Sequence, residues 1–377
     1  MIRFLKKKMM SVKTSAGLKV PFLDLRVSSV EKESLLEAIA RVFEHGRFIL
    51  GPEVERLEAL IANYCRRKFA IGTGSGTDAL FLALKALQIG PGDEVITTSL
   101  SWIATTNAIA MTGATVVFAD IGDDLNIDPE SVRHLITKKT KAIVPVHYTG
   151  KVCNVDALRQ LADQNKVKLI EDAAQAFGAL YREKPAGSFG DVACFSMNPM
   201  KVFAACGEAG MVLTDDGAVY ERLIALRYNG TVNKESCIAT SLNGRLDTIQ
   251  AAILIERLSH LDAIIAKRRQ NADFYNKSLA DVVRVPFERP YEKDIYYTYQ
   301  IQTSRRDALK HFLEDKGIEV KIQHPMLMCE QAIYRKLLCK PVVRAQQLVK
   351  EILCLPIHEK LEQAQLEYVV ETIKDFY

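Results

Sequence analysis

The feature that most constrains the fold of this 377-residue chain is a regular alternation of two kinds of segment between residues 69 and 214. Short apolar runs rich in β-branched residues alternate with longer stretches whose apolar residues recur at helical spacing. Such alternation predicts a mostly parallel sheet with helices on both faces. The predicted strands are Glu94–Thr98, Thr115–Ala119, Ala142–His147, Lys168–Glu171, Val192–Ser196 and Met211–Thr214, and the predicted helices are Thr77–Leu87, Ile103–Met111, Pro129–Thr137 and Val155–Asn165.

The segments outside this block predict a second, smaller domain. Residues 1–19, which begin MIRFLKKKMM, lack the apolar core of a secretory signal and are predicted to be a flexible tail. We place an α/β large domain at residues 20–260 and a smaller α+β domain at residues 261–377, with the boundary inside a long predicted helix. The remaining predicted elements are helices at 31–43, 52–64, 247–278, 306–316 and 363–376, and strands at 299–303 and 319–322.

Composition and spacing exclude several classes of protein. The net charge is +4 and the basic residues form no dense stripe, so we expect no nucleic-acid partner. The eight cysteines form no C-x-x-C pair and the seven histidines show no metal-ligand spacing, which indicates a reduced protein without a metal site. No apolar run approaches transmembrane length. We therefore expect a cytoplasmic protein with no membrane partner.

One lysine follows the predicted strand Val192–Ser196, within the segment VACFSMNPMKVFAACGEAGM. The strand ends in the polar turn Asn198-Pro199, and the chain then presents Lys201. A lysine at the end of a buried strand has limited access to water and is a candidate nucleophile. A solvated loop lysine has the same local sequence, so this assignment depends on partners elsewhere in the chain.

A candidate phosphate site lies in residues 69–80, FAIGTGSGTDAL. A predicted strand ends in glycines, and a helix begins near Gly76 and Thr77. Helix starts carry unpaired N–H groups and favour anions, and small side chains let a phosphate approach closely. An ordinary capped turn fits the same residues.

A dinucleotide-binding site is the more specific alternative interpretation of these glycines, but the spacing does not support it. Thr77 stands where the third glycine of G-x-G-x-x-G belongs. The acidic residues Asp93 and Glu94 precede the next strand, whereas a ribose-binding carboxylate lies at that strand's carboxyl end. The segment therefore does not carry a Rossmann fingerprint.

Three more residues with functional chemistry lie at carboxyl ends of predicted strands. Trp102, the single tryptophan, follows Glu94–Thr98 and either packs in the core or stacks on a flat heterocycle. His147 ends another strand, where packing and a ligand contact are both open. Asp172 follows a buried run and either caps a helix or pairs with a protonated ring nitrogen, since an acid there needs a compensating partner.

These residues together predict one kind of cofactor. In an open α/β sheet, ligands bind at the carboxyl ends of the strands, so the side chains are expected to meet at one edge. Pyridoxal 5'-phosphate (PLP) requires a lysine for its covalent bond, an acid opposite its ring nitrogen, phosphate donors and ring packing. The combination predicts a PLP site with Lys201 as its anchor.

The chain also resembles a known family, the DegT/StrS-type sugar aminotransferases. The resemblance runs from about Val20 to the C-terminus. It implies the three-layer PLP-dependent transferase fold of the aspartate-aminotransferase type, with a mostly parallel sheet in the large domain and a smaller C-terminal α+β domain. The segments that carry it are GRFILGPEVERLE (46–58), GSGTDAL (74–80), GPGDEVITTSLSWIATTNAI (90–109), EDAAQAFGA (171–179), CFSMNPMK (194–201) and NGRLDTIQAAI (243–253).

The resemblance implies a role for four residues around the cofactor ring. Lys201 matches the Schiff-base lysine and proton shuttle. Asp172 matches the acid that pairs with the pyridinium nitrogen. Gln175 matches the residue that contacts the ring hydroxyl, and Trp102 matches the residue that stacks on the ring.

The resemblance also implies how the phosphate is bound. Gly76, Thr77 and Ser196 match the family's phosphate ligands. Asn243 matches an asparagine that reaches the phosphate across a dimer interface. The protein is therefore expected to be a homodimer with shared active sites.

The implied reaction is amino transfer from an amino acid, L-glutamate in the family, to a nucleotide-linked keto sugar. Such a product serves amino-sugar biosynthesis for surface polysaccharide or glycoconjugate. One alternative is a sugar dehydratase or deoxygenase of the same fold, but those relatives carry a histidine where this chain has Lys201. The other is a non-catalytic regulatory relative, and the presence of Lys201 and Asp172 argues against it.

Overall fold

The structure is a computed structural model that describes residues 19–335, 337 and 340–377. The predicted tail at residues 1–19 therefore lies outside the described residues, except for Lys19. The α-helices in the described part are α1 (Ser29–His45), α2 (Pro52–Tyr64), α3 (Gly76–Ala86), α4 (Ala104–Met111), α5 (Pro129–Arg133), α6 (Val155–Asn165), α7 (Gly217–Arg227), α8 (Thr248–Leu258), α9 (Leu261–Leu279), α10 (Arg306–Asp315), α11 (Val343–Leu348) and α12 (Gln363–Phe376).

The strands follow the predicted positions through most of the first half of the chain. Several strand ends coincide with the prediction, because β-branched runs end where glycine or polar turn residues begin. The strands are β1 (Phe69–Thr73), β2 (Glu94–Thr98), β3 (Thr115–Ala119), β4 (Thr140–Val144), β5 (Lys168–Asp172), β6 (Leu180–Tyr181), β7 (Lys184–Pro185), β8 (Val192–Ser196), β9 (Gly210–Thr214), β10 (Thr231–Val232), β11 (Ser236–Cys237), β12 (Glu292–Lys293), β13 (Tyr299–Gln302) and β14 (Ile352–Leu355).

A seven-stranded sheet with the order β1-β9-β8-β5-β4-β2-β3 forms the centre of the molecule. Strand β9 is antiparallel to both of its neighbours, and the other adjacent pairs are parallel. Six of the seven strands therefore end at the same edge. This sheet confirms the predicted mostly parallel arrangement.

Two apolar cores cover the two faces of this sheet. Successive strand residues point to opposite faces, so Leu169 of β5 lies in one core and Ile170 in the other. Helices α2, α6 and α8 contribute to the first core, and α3, α4 and α7 contribute to the second. The α/β three-layer architecture follows from this burial on both faces.

A third core lies in the C-terminal part of the chain. It joins α9, α10 and α12 to the antiparallel pair β13–β14, with Tyr275, Leu309 and Ile373 fully buried. Val20, near the start of the described chain, packs into the same core and bridges Ile318. This smaller α+β unit faces the carboxyl edge of the large sheet.

Several predicted elements differ in the structure. The helix predicted at 247–278 is two helices, because it breaks at Ser259, whose hydroxyl donates to the Glu256 carbonyl at 2.7 Å and competes with the helix. The strand predicted at 142–147 ends at Val144. The next residue, Pro145, has no N–H to donate to a neighbouring strand. Residues 319–322 form no strand, only a bridge from Lys321 to Cys354.

The helix predicted at 129–137 is also shorter, ending at Arg133. Its start is as expected, since the Asp128 side chain accepts from the N–H groups of Glu130 and Ser131 and caps it. Within the described residues, no helix is long and apolar enough to cross a bilayer. Among those same residues, no group of three or more His, Cys, Asp or Glu side chains is placed to hold a metal ion.

Candidate active site

A cavity of about 1230 Å³ lies between the carboxyl edge of the large sheet and the small C-terminal unit. Its walls contain loops that follow β1, β2, β5 and β8, together with residues from the small unit. The structure thus brings together most of the residues singled out in the sequence. Those that line the cavity are Gly76, Thr77, Trp102, Asp172, Gln175, Ser196 and Lys201.

Lys201 is held by a tight turn after β8. Its main-chain N–H donates to the Asn198 carbonyl at 2.9 Å, and the Asn198 side chain accepts from the N–H of Met200 at 3.0 Å. The half-buried side chain carries its Nζ to 4.5 Å from the ring centroid of Tyr297, within cation–π range. The turn therefore projects the amine into the cavity.

Asp172 ends β5 and is only 3% exposed. Its Oδ2 accepts a hydrogen bond from the Thr105 hydroxyl at 2.7 Å, and its Oδ1 accepts one from the Ala174 N–H at 3.2 Å. Burial raises the pKa of this carboxyl, although these two donors and the charge of Lys201 lower it. A buried carboxylate in this setting is stabilised by a cationic partner, which a protonated ring nitrogen provides.

Glu171 precedes Asp172 but faces away from the cavity, because adjacent strand residues point to opposite sides. Its carboxylate lies 2.9 Å from His147 Nε2 and accepts from three main-chain N–H groups of the loop 187–190. Burial would raise the pKa of Glu171, but these partners hold it below its ordinary value. His147 is fully buried in this pair. Of the two roles that the sequence left open, packing and a ligand contact, the structure supports packing.

The segment predicted to bind phosphate lies where the chain passes from β1 into α3. Helix α3 begins at Gly76, and the hydroxyl of Ser75 caps it by accepting from the Asp78 N–H at 3.0 Å. A Cβ at Gly76 would lie 2.6 Å from the Cβ of Ser196, so only glycine lets the two segments approach this closely. The helix start and the Ser196 hydroxyl together form an anion cradle.

The function of Gly210 was not found in the sequence. A Cβ at this position of β9 would lie 2.2 Å from the Ser75 carbonyl oxygen and 2.7 Å from Thr73 Oγ1. The antiparallel strand thus supports the cradle from behind by direct backbone contact.

Gln175 and Trp102 both line the cavity but differ in their exposure. The buried Gln175 accepts from the Thr149 N–H at 2.9 Å through Oε1, which leaves its amide N–H groups to donate to an oxygen in the cavity. Trp102 is 63% exposed, at the rim, with its ring 6.2 Å from the ring of His324. Its indole face is thus available for stacking.

The small unit adds residues that the sequence did not indicate. His324 is 6% exposed, its Nε2 has no hydrogen-bond partner among the described residues, and its ring lies 5.6 Å from that of Tyr148. Burial and the charge of Lys201 lower the pKa of His324 to about 4, so it is neutral near pH 7. His324 and Tyr297 lie far from the strand-end motifs in the chain, so no spacing could have found them.

Asn243 is the one predicted site residue outside the cavity lining of this chain. Its side chain is exposed, and its Oδ1 accepts from Arg245 Nε at 2.6 Å. The isolated bridge between Ile49 and Asp247 ties this segment to the loop after α1. The prediction that Asn243 reaches a second subunit is compatible with this exposed position.

The residues around the cavity fit PLP. The glycine cradle has room for a phosphate, the buried Asp172 needs a cationic nitrogen opposite it, and Lys201 lines the same cavity. The arrangement supplies the covalent anchor, the ring-nitrogen partner and the phosphate donors that this cofactor requires.

Comparisons with known proteins extend over nearly the whole chain. The model of the DegT/DnrJ/EryC1/StrS aminotransferase family matches residues 29–374. The chain is 39% identical to the "pleiotropic regulatory protein" of Geobacillus stearothermophilus over 96% of this chain and 99% of that protein. It is also 39% identical to dTDP-3-amino-3,4,6-trideoxy-alpha-D-glucose transaminase of Streptomyces venezuelae, over 95% and 96% of the two chains.

A solved structure matches both the sheet and the small unit. It is that of NtdA from Bacillus subtilis with the bound cofactor PMP, the amine form of PLP. The TM-score is 0.90 at 31% identity, over 95% of this chain and 85% of that one. The fold and the cofactor class of the site therefore agree with a solved relative.

Proposed function

The chain belongs to the DegT/DnrJ/EryC1/StrS aminotransferase family, and we propose from this premise that it transfers an amino group from L-glutamate to a nucleotide-linked keto sugar. The observation that carries the proposal is the placement of Lys201 and Asp172 at one cavity above the same sheet edge. A sugar aminotransferase of this family uses PLP. The sugar product serves amino-sugar biosynthesis for a surface polysaccharide or glycoconjugate.

Amino transfer gives a defined task to Asp172, Ser196, Lys201 and the start of α3. When bound, PLP supplies the electron sink for the reaction. Asp172 would keep the ring nitrogen protonated, and the start of α3 with Ser196 would hold the phosphate. The Lys201 Nζ would accept the proton that the donor carbon loses and pass it on as the amino group moves. Proton transfer by a positioned group of this kind contributes roughly 10²–10⁴-fold in rate.

The side of the cavity formed by the small unit favours an anionic acceptor. Lys310 and Lys321 both line it, and Arg268 lies deeper in the same wall. Arg268 is neutralised by Glu359 at 3.1 Å, and Lys310 is neutralised by Glu314 at 2.5 Å. Lys321 is exposed, with Glu319 3.8 Å away. An exposed cation at the mouth supports a substrate that carries a diphosphate, because charge complementarity steers such ligands.

A homodimer with shared sites is part of the proposal. Helix α1 and the loop after it expose a group of apolar side chains, which marks an interaction surface. The loop also pairs with the Asn243 segment through the Ile49–Asp247 bridge, so a second copy seated there would meet Asn243. The exposed residues are Val30, Leu36, Phe43, Phe48 and Ile49.

The activity is tested by incubating the purified protein and PLP with ¹⁵N-labelled glutamate and UDP-, GDP- or dTDP-linked keto sugars. We expect one sugar product whose mass includes the transferred nitrogen. Lys201→Ala should lower the rate by about 10²–10⁴-fold. Lys184→Ala, which changes an exposed lysine in β7, serves as the control and should retain full rate.

Product mass also separates the alternatives. A dehydratase of the same fold would release a deoxygenated sugar without ¹⁵N. A purely regulatory protein would bind PLP and give no product with any of the sugars. A wild-type protein that binds no PLP would contradict the proposal altogether.

A further inference from the structure

Thr105, which the sequence did not single out, lies directly against the Asp172 carboxylate. It is the second residue of α4 and only 2% exposed. Its hydroxyl is 2.7 Å from Asp172 Oδ2 and 3.4 Å from the Trp102 carbonyl oxygen. A hydroxyl has one proton to donate, and the closer, charged acceptor receives it.

The surroundings of Asp172 make this one hydrogen bond important. In the described part of the chain, its carboxylate accepts from two neutral donors, the Thr105 hydroxyl and the Ala174 N–H. From β8, the buried Cys194 thiol faces it in register, and burial raises the pKa of that thiol well above its ordinary value, so it brings no charge.

Two cationic or titratable groups face Asp172 from other elements. Lys201 approaches from the loop after β8, and His147 approaches from the loop after β4, where it pairs with Glu171 on the far side of β5. Both lower the pKa of Asp172. The influence of Lys201 on Asp172 changes, because its amine is free only when it is not covalently bound to the cofactor. The Thr105 hydroxyl is available in both cases.

We propose that Thr105 is a positioning residue that keeps Asp172 ionised and oriented toward the ring nitrogen of PLP. Helix α4 begins one residue earlier and fixes the Thr105 backbone, and the Thr105 side chain is almost fully buried where it lines the cavity beside Asp172. The hydrogen bond occupies Oδ2 from the α4 side. The inference rests on the proposed cofactor, and Thr105 acts on that cofactor through Asp172, whose carboxylate its hydroxyl contacts.

The effect of losing this hydroxyl has a definite direction. Burial already raises the pKa of Asp172, and the Thr105 hydrogen bond is the largest influence that lowers it. Without the hydroxyl, the pKa rises further and the carboxyl protonates at higher pH. A neutral acid no longer stabilises a protonated ring nitrogen, so the affinity for PLP falls as the pH is lowered, and it falls earlier than in the wild type.

The experiment measures the PLP dissociation constant of the apoenzyme between about pH 5.5 and 8.5, on the acidic side of which the raised pKa of Asp172 is expected to weaken binding first. Thr105→Val removes the hydroxyl and keeps the β-branched shape. We expect about tenfold weaker PLP binding near neutral pH, with the acidic loss of affinity shifted to higher pH. Thr105→Ser restores the hydroxyl and should restore both the affinity and the pH profile.

Thr106→Val is the matched control, since it makes the same change at the next residue. Thr106 is also fully buried, but its hydroxyl lies against Met328 Sδ at 3.0 Å instead of a carboxylate. This variant should bind PLP as the wild type does at every pH. Thermal unfolding of all apoenzymes separates lost folding from lost affinity, and Thr105→Ala replaces Thr105→Val if the valine variant does not fold.

Two results overturn the inference. One is a Thr105→Val enzyme with wild-type affinity and pH profile, and the other is an equal loss in Thr105→Val and Thr106→Val. A wild-type protein that binds no PLP at any pH would instead contradict the proposed function. Normal PLP binding in the wild type together with an unaffected Thr105→Val enzyme would contradict this inference alone.

Discussion

Glu171 and Asp172 are adjacent acids at the end of one strand, yet they act in different environments. The first is tied to His147 and to the loop 187–190, and the second lies in the cavity with Thr105. The pKa of Glu171 is held down and that of Asp172 is raised. At the scale of single residues, the side of the strand decides which acid is structural and which meets the cofactor.

His324 is a residue whose burial has a measurable consequence. Its pKa is about 4 in the folded protein, whereas an unfolded histidine titrates near 6.5. Between these values the unfolded chain binds a proton that the folded protein does not. The stability of the folded state therefore decreases as the pH falls through this window.

We expect His324→Gln to weaken the acid-induced loss of stability. Between pH 7.5 and 5, the wild type should lose about 2 kcal/mol of unfolding free energy more than the variant does. Urea denaturation at the two pH values measures this difference. His311→Gln, an exposed change on α10, is the control and should follow the wild type. Parallel pH dependence in wild type and His324→Gln would contradict the expectation.

At the scale of elements, two helices begin with glycine, but the surroundings require glycine at only one of them. Gly76 and Gly217 are each the first residue of a helix, α3 and α7. A Cβ at Gly76 would lie 2.6 Å from the Ser196 side chain, whereas a Cβ at Gly217 would meet nothing within 4 Å. Of these two helix-starting glycines, only Gly76 is therefore required by close approach to β8.

Gly76→Ala should force α3 away from Ser196 and weaken PLP binding by about tenfold or more, since the cradle loses its spacing. Titration of the apoenzyme with PLP measures this loss. Gly217→Ala is the matched control and should leave PLP affinity unchanged while raising stability by up to about 1 kcal/mol, because alanine favours the helix. Equal PLP affinity in the two variants would refute the close-contact interpretation.

At the scale of the whole molecule, the active site requires parts that are distant in the chain. The sheet edge supplies Lys201 and Asp172, and the smaller C-terminal unit supplies Tyr297 and His324. Asn243 stands outside the cavity of its own chain. If a second copy completes the site, the functional unit is larger than one chain.

Subunit mixing tests this proposal. Lys201→Ala and Asn243→Ala enzymes should each be nearly inactive alone. After unfolding and refolding together in equal amounts, half of the dimers combine one subunit of each kind, and each such dimer holds one intact site. Activity should therefore return to about a quarter of the wild-type value. Full activity of Asn243→Ala alone, or no recovery on mixing, would place Asn243 outside a shared site.

The sequence alone was sufficient to predict the mostly parallel central sheet and the residues that lie at its carboxyl edge. Alternating strands and helices define a parallel sheet, and parallel strands end at one edge, so Lys201, Asp172 and the Gly76 cradle could be placed together without coordinates. Strand boundaries such as those of β2 and β8 were also predictable, because β-branched runs ended at turn residues. Local signals of this kind depend on neighbours within a few positions.

Only the tertiary structure decided the remainder, because those contacts depend on long-range packing. The burial of His324 and the contact of Gly210 with Ser75 both involve the environment that surrounds each residue, which local periodicity does not encode. The same holds for Thr105. Its hydroxyl contacts Asp172 only because α4 packs beside β5. The chain's pattern fixed which groups share an edge, and packing determined their partners, their exposure to water and hence their protonation.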